Sequence, residues 1–306
     1  VLLYMAGECC RIPDCSCEDY NKKYLNAIRM FPGNIDMAEK TLQNWRTEIP
    51  ALFGFYVEDK EADITRTSKM AKFLYENQDL TQFFRLFLMS FQFPGGHMKP
   101  QDLKDIIYLN IRFKPAKTII QVLLAGNELL SSENSVKEMS LSAEETTYCI
   151  FNDVRVTSGQ ISPKQVAKTI LDNRKNQIKY YNPADPHTKS LTGASRTKGD
   201  MTRYGDILDY MELADLLTKN GSYFYLKGNE LQAIQTFAKD KTWFKGYESF
   251  YGQNDLDTAS LSAVEANWFA YVNDSMKPDM FKTDIRSLLQ QDDEIDVVFG
   301  ERIQDV

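Results

Sequence analysis

Apolar residues recur at helical spacing along most of the chain, and two short β-prone stretches, 52–67 and 216–226, interrupt that pattern. In the first third, Tyr20, Tyr24, Ala27 and Ile28 share a face, which predicts a helix from Asp19 to Met30 within residues 1–35, read as one or two helices. Phe31-Pro32-Gly33-Asn34 ends it. A second helix is expected from Asp36 to Ile49, with Ala38, Leu42, Trp45 and Ile49 turned inward. Its other face carries Lys40, Gln43, Asn44 and Thr47, and Pro50 is expected to break it. Leu52 to Val57 then reads as a strand, Glu58 to Glu61 as a turn and Ala62 to Thr67 as a second strand. Helices follow at Ser68–Glu76 and Leu80–Phe91, and Phe93-Pro94-Gly95-Gly96 marks a hinge.

The order repeats beyond the hinge. Helices are expected at Pro100–Leu109 and Pro115–Leu130. Ser142 with Glu145 forms a capping box that opens a helix ending near Asn152. Ser162-Pro163 places an N-cap and a first-turn proline before a helix to about Lys179. Its buried face is expected to be Val166, Ala167, Ile170, Leu171 and Ile178. Asp200 would cap Met201–Leu213. Asn220-Gly221 lies between two β-prone runs in 216–226, the strongest short hairpin signal in the chain. Leu231–Lys239 is a further helix, a second capping box at Ser262 and Glu265 leads into 266–272, and 295–299 has strand character.

The expected fold is mainly α with short β-hairpins (α+β). It comprises two tandem winged-helix-like subdomains, 1–95 and 96–240, and an acidic tail or linker, 241–306. No internal sequence repeat relates the two units.

Charge changes the picture. The chain carries a net −7, with 43% hydrophobic and 26% charged residues, as expected of a globular protein. Yet 162–204 holds nine Lys or Arg against three Asp, a local net of +6. From Gly246 to Val306 four basic residues face thirteen acidic ones, a net of −9. The cationic set is Lys164, Lys168, Arg174, Lys175 and Lys179, then Lys189, Arg196, Lys198 and Arg203, with Asn173 beside it. Such a face suits a phosphate backbone, because each neutralised phosphate releases a counterion. A solvated helix face beside a polar loop is the plainer alternative. Lys40, Gln43, Asn44 and Thr47 are side chains that read base edges or hold phosphates. The plainer reading there is an ordinary amphipathic helix. Arg66 and Lys69 fall where the first hairpin meets the next helix and are candidate backbone contacts.

Candidate chemistry is sparse. His97 and His187 sit in loop sequences without an assignable triad partner, and both read as surface histidines. Phe93-Pro94-Gly95-Gly96 lacks the lysine of a phosphate loop. Pro278-Asp279 has no following Glu-x-Lys of the kind that holds Mg²⁺ in a nuclease. No catalytic or metal residue is assigned. Cys9, Cys10, Cys15 and Cys17 are crowded, but their spacing departs from the usual zinc knuckle, so packing thiols is preferred over structural zinc. The clustering also fits a reduced, cytoplasmic protein, with Cys149 in the core. No apolar run is long enough to cross a membrane, and residues 1–5 are too short for a signal peptide.

The run Thr41-Leu42-Gln43-Asn44-Trp45-Arg46-Thr47-Glu48-Ile49, followed by Leu52-Phe53-Gly54, resembles the N-terminal DNA-recognition domains of type IIS restriction endonucleases of the BpuJI type. Phe91-Gln92-Phe93-Pro94, Ile120 to Leu124 and Tyr210 to Ala214 agree in the same order, so the resemblance spans roughly 15 to 240. It is also similar, more distantly, to the recognition part of nicking endonucleases. The resemblance implies a pair of winged-helix subdomains reading a short asymmetric site on double-stranded DNA as a monomer. Cleavage would lie in a separate C-terminal nuclease domain needing Mg²⁺, and this chain would need no cofactor and cut nothing by itself. It bears most directly on Asn44, Arg46 and Thr47; the cations from 164 to 203 rest on charge and position. A stand-alone winged-helix regulator and a helical interaction scaffold, using aromatics such as Trp243 and Trp268, are the alternatives.

Overall fold

The computed structural model describes residues 1–95, 98, 100–133, 137–178, 198–253, 255–257, 259–261 and 264; at 47, 48, 100, 101 and 198–204 it describes the backbone. Lys179, Lys189, Arg196, both histidines, and the expected elements at 266–272 and 295–299 lie outside the described residues. No helix among the described residues is long and apolar enough to cross a membrane.

The first unit opens with α1 (Leu2–Arg11) and α2 (Cys17–Arg29). Ser16 caps α2 by accepting a hydrogen bond from the Asp19 N–H at 3.2 Å. Next comes α3 (Glu39–Arg46), which widens into a π-helical turn over Thr47–Ala51. Pro50 lies in this last turn, and the helix ends one residue beyond it, at Ala51. Proline cannot donate to the carbonyl four residues back and its ring crowds it; the wider turn moves that carbonyl away. The expected strand at 52–57 is also displaced, to β1 (Tyr56–Asp59), paired with β2 (Ile64–Thr67). Gly54 takes φ +63 and breaks the extended run. Phe53 and Phe55 therefore enter the core, with Phe53 4.7 Å from the Phe87 ring. The chain before α2 adds a third strand-like segment, because Cys15 and Thr65 exchange backbone hydrogen bonds of 3.3 and 2.8 Å. Helices α4 (Lys69–Asn77) and α5 (Leu80–Ser90) close the unit.

The second part of the chain again places helices before a hairpin. α6 (Pro100–Tyr108) and α7 (Pro115–Ser132) lead to β3 (Ser140–Ser142). The Ser142–Glu145 capping box forms as expected and opens α8 (Ala143–Glu145), continued by a π-turn at Thr146–Phe151. After α9 (Val154–Thr157) comes α10 (Pro163–Lys175), whose Ser162–Gln165 box escaped the sequence reading. Helix α10 stops four residues short of expectation. Gln177 adopts a left-handed φ of 54°, and Ile178 is exposed rather than part of the buried face. Helix α11 (Lys198–Leu213) starts before the expected Asp200 cap and precedes the hairpin β4 (Leu217–Asn220) and β5 (Tyr223–Leu226). Strand order is β3-β5-β4, all antiparallel. In each unit a strand segment between two helices thus pairs with the second hairpin strand.

The two units share one hydrophobic cluster. Phe93 and Phe113 exchange backbone hydrogen bonds of 2.7 and 2.9 Å at the expected hinge. Arg85 of α5 is buried and donates through Nε to the Ala214 carbonyl at 2.8 Å, and its Nη2 lies 3.2 Å from Glu230. After α12 (Leu231–Lys239) the chain packs back on this core instead of leaving it. Phe244, Tyr247 and Leu256 are buried, and the Tyr251 hydroxyl donates to the Ile111 carbonyl at 2.7 Å.

Candidate nucleic-acid interface

Helix α3 is held at both ends by α2. At its start Arg29 pairs with Glu39 at 2.6 Å and donates to the Met37 carbonyl at 3.1 Å. At its end the Arg46 guanidinium donates to Asn21 and lies 4.0 Å from Glu58 on β1. Leu42 is buried and Trp45 packs against Phe31, with ring centroids 6.0 Å apart and the planes tilted. These anchors leave Lys40, Gln43 and Asn44 exposed along one side. Thr47 follows on that side, but its side chain is not described. Arg46, in contrast, is largely covered and its Nε is buried without a hydrogen bond. Its first role is to fix α3 on α2 and the hairpin. Arg66 is exposed on β2 opposite Val57, and Lys69 is the first residue of α4, half-buried behind the Ser68 cap.

Helix α10 packs on α7 through Val166, Ala167 and Ile170. Lys164, Lys168 and Lys175 lie on the opposite side, all exposed, and make no ion pair among the described residues. Asn173 is half-buried. Arg174 points the other way: Nε and Nη2 donate to the Glu145 carboxylate at 2.6 and 2.7 Å, and Nη2 also donates to the Ser140 carbonyl at 2.8 Å. The guanidinium lies 5.5 Å over the Tyr223 ring. Lys198 and Arg203 fall in the first turns of α11, where only the backbone is described. Proximity between the cationic faces of α3 and α10 is not required by any of these contacts.

The sequence reading missed one surface. β5 sits between β3 and β4, and the register sets Tyr223 beside Ser142 and Asn220, and Tyr225 beside Ser140 and Thr218. Tyr223 and Tyr225 share one face while Phe224 faces the core. That face floors an open depression of about 810 Å³, rimmed by Lys137, Glu138 and Arg174. The alternation Tyr-Phe-Tyr after the Asn-Gly turn was the available signal.

The cysteines are free thiols in different environments. Cys9 is buried against Tyr20 and Tyr24, and burial pushes its thiol up to about 12. Cys15 pairs with β2, and the Cys17 N–H donates to Asp63 at 3.1 Å. Burial likewise raises the Cys149 thiol. No group of three or more His, Cys, Asp or Glu forms a metal cluster among the described residues.

Comparison with known proteins places this arrangement. The curated proteins gave no match. The chain is similar to the BpuJ1 endonuclease binding domain, solved in complex with pyrene- and phenanthrene-modified DNA: the TM-score is 0.70 and the identity 24%, over 89% of this chain and 91% of that one. That likeness shows a shared fold. The family model described as restriction endonuclease BpuJI, N terminal, matches residues 1–269, and the chain belongs to that family.

Proposed function

We propose that this chain is the recognition region of a type IIS restriction endonuclease and reads a short asymmetric site on double-stranded DNA as a monomer. The observation that carries this reading is the exposed, polar and cationic side of α3, braced beside a hairpin, in a fold shared with an endonuclease domain solved on DNA. Each unit is read as a winged helix. The strand segment that pairs with the second hairpin strand, at Cys15 in the first unit and β3 in the second, supports that assignment. Gln43 and Asn44, with Thr47, would reach base edges in the major groove. Lys40, Arg66, Lys69 and the α10 lysines Lys164, Lys168 and Lys175 would hold phosphates and set the register. Hydrolysis belongs to a separate Mg²⁺-dependent nuclease domain, and the natural setting is the cytoplasm.

Fluorescence anisotropy on a randomised duplex pool, at several salt concentrations, tests this. Selection of a short asymmetric sequence by one chain per duplex is expected, with no cleavage when Mg²⁺ is added. A palindrome bound by two chains would replace this reading with a dimeric regulator. Equal affinity for every duplex, or none at low salt, would overturn it.

A further inference from the structure

The face of the β3-β5-β4 sheet is built unlike the cationic helices. Its central strand presents two tyrosines, and Tyr223 is 42% exposed although it lies in the middle of a sheet. Residues two apart on a strand point the same way, about 7 Å apart. Arg174 lies over the Tyr223 ring from one side, held in place by Glu145 and the Ser140 carbonyl. On the other side, exposed Thr218 and Asn220 supply a hydroxyl and an amide. Lys137 stands at the rim beside Glu138, while the Lys219 ammonium is turned to the other face, over the Phe224 ring and 3.0 Å from Asp209.

We propose that this sheet face is a stacking platform for an unpaired nucleotide of single-stranded nucleic acid, a binding activity additional to duplex reading. Bases inside a duplex have both faces covered by their neighbours, so exposed rings on a sheet floor suit only a base outside the stack. Asn220 and Thr218 would meet the pairing edge that such a base leaves open. Lys137 would lie along its sugar-phosphate strand. The platform adjoins the end of α10, so a strand lying along Lys164, Lys168 and Lys175 would arrive at it. The depression, about 810 Å³, has room for more than one base.

The experiment uses the whole chain and a fluorescein-labelled 12-nucleotide single strand of mixed sequence that cannot pair with itself, read by anisotropy at low salt. The parent chain is expected to bind. Tyr223→Ala with Tyr225→Ala should weaken binding by about 10-fold or more, whereas the Tyr223→Phe, Tyr225→Phe protein should bind as the parent does, because stacking needs the ring and not the hydroxyl. A strand carrying 5-iodouracil, irradiated on the unsubstituted chain, is expected to cross-link to Tyr223 or Tyr225, which keeps the test open even if the alanine variant fails to fold. No binding by the parent, cross-links only elsewhere, or a folded alanine variant that binds as tightly as the parent would overturn the proposal. Loss in the phenylalanine variant equal to that in the alanine variant would also overturn it. Duplex binding is measured alongside, so failure of duplex recognition with single-strand binding intact would count against the endonuclease reading alone.

Discussion

Arg174 and Glu145 form a two-pronged ion pair across 29 residues of sequence, with contacts of 2.6 and 2.7 Å. Glu145 is almost fully buried and also completes the capping box of α8 by accepting from the Ser142 N–H at 2.9 Å. One carboxylate therefore joins α8 to α10 and, through Arg174, to β3. Replacing Arg174 by Ala leaves that buried carboxylate without its cation. The partial exposure of the arginine softens the cost, so the expected loss is about 2–4 kcal/mol of stability. Thermal and urea melts should record it, and an unchanged midpoint would mean that Arg174 contributes nothing to holding α10.

What was legible in the chain was local. The 216–226 hairpin was legible from Asn220-Gly221, although the loop itself is Gly221-Ser222: Asn220 ends β4 opposite Tyr223, and Gly221 takes the positive φ, +60, that the turn needs. Helices α4, α5, α7 and α12 follow from their apolar spacing and caps. What escaped were partners distant in sequence and departures from ideal backbone. Nothing local to Cys15 announces its pairing with Thr65. Nothing near Lys114 announces Asp240. The widening of the last turn before Ala51 is not announced by the proline, which predicts only that the helix stops there. The exposed face of α3 was readable from Lys40, Gln43 and Asn44. Arg46 belongs to the same run of letters, yet it is spent on Asn21 and Glu58, a distinction that periodicity does not carry.

That distinction is measurable. Asn44→Ala shortens an exposed side chain, and the preference at one base position should relax by about 1–3 kcal/mol. Arg46→Ala breaks the link from α3 to α2 and β1. It should cost about 1–2 kcal/mol of stability and weaken binding to all duplex sequences together. Melts of both variants, compared with their binding to the selected site and to single-base variants of it, separate the two roles. A change of preference confined to one base in the Arg46 variant, with normal stability, would make Arg46 a base reader.

The α10 lysines should act through charge alone. Lys164, Lys168 and Lys175 are exposed and carry no ion pair among the described residues. Changing all three to Ala should leave the melting temperature nearly unchanged. If each neutralises a phosphate, the log–log salt slope of duplex binding should fall by about 0.9 per contact, or about 2.7 for the three. Titrations of parent and variant at four or more salt concentrations would show it, and parallel lines would remove α10 from the phosphate track.

Lys114 is the buried cation that ties the end of α12 into the fold. It precedes α7, donates to Asp240 and to the Thr242 hydroxyl at 2.6 Å, and reaches the Met89 carbonyl at 2.5 Å and the Thr242 carbonyl at 2.9 Å. Burial pushes its ammonium below the ordinary lysine value, and Asp240 pushes it back up. These acceptors surround the amine in a place where a lone ammonium would not survive. Lys114→Met leaves the Asp240 carboxylate buried with only the Thr242 N–H and hydroxyl, at 2.8 and 2.7 Å, to satisfy it. The expected loss is about 3–5 kcal/mol. Adding Asp240→Asn removes the stranded charge and should restore about 1 kcal/mol or more, a coupling that a double-mutant cycle reads directly. Additive losses in that cycle would mean that the two side chains stabilise the fold independently, and that the attachment of residues 240–256 rests on the apolar contacts of Phe244, Tyr247 and Leu256 instead.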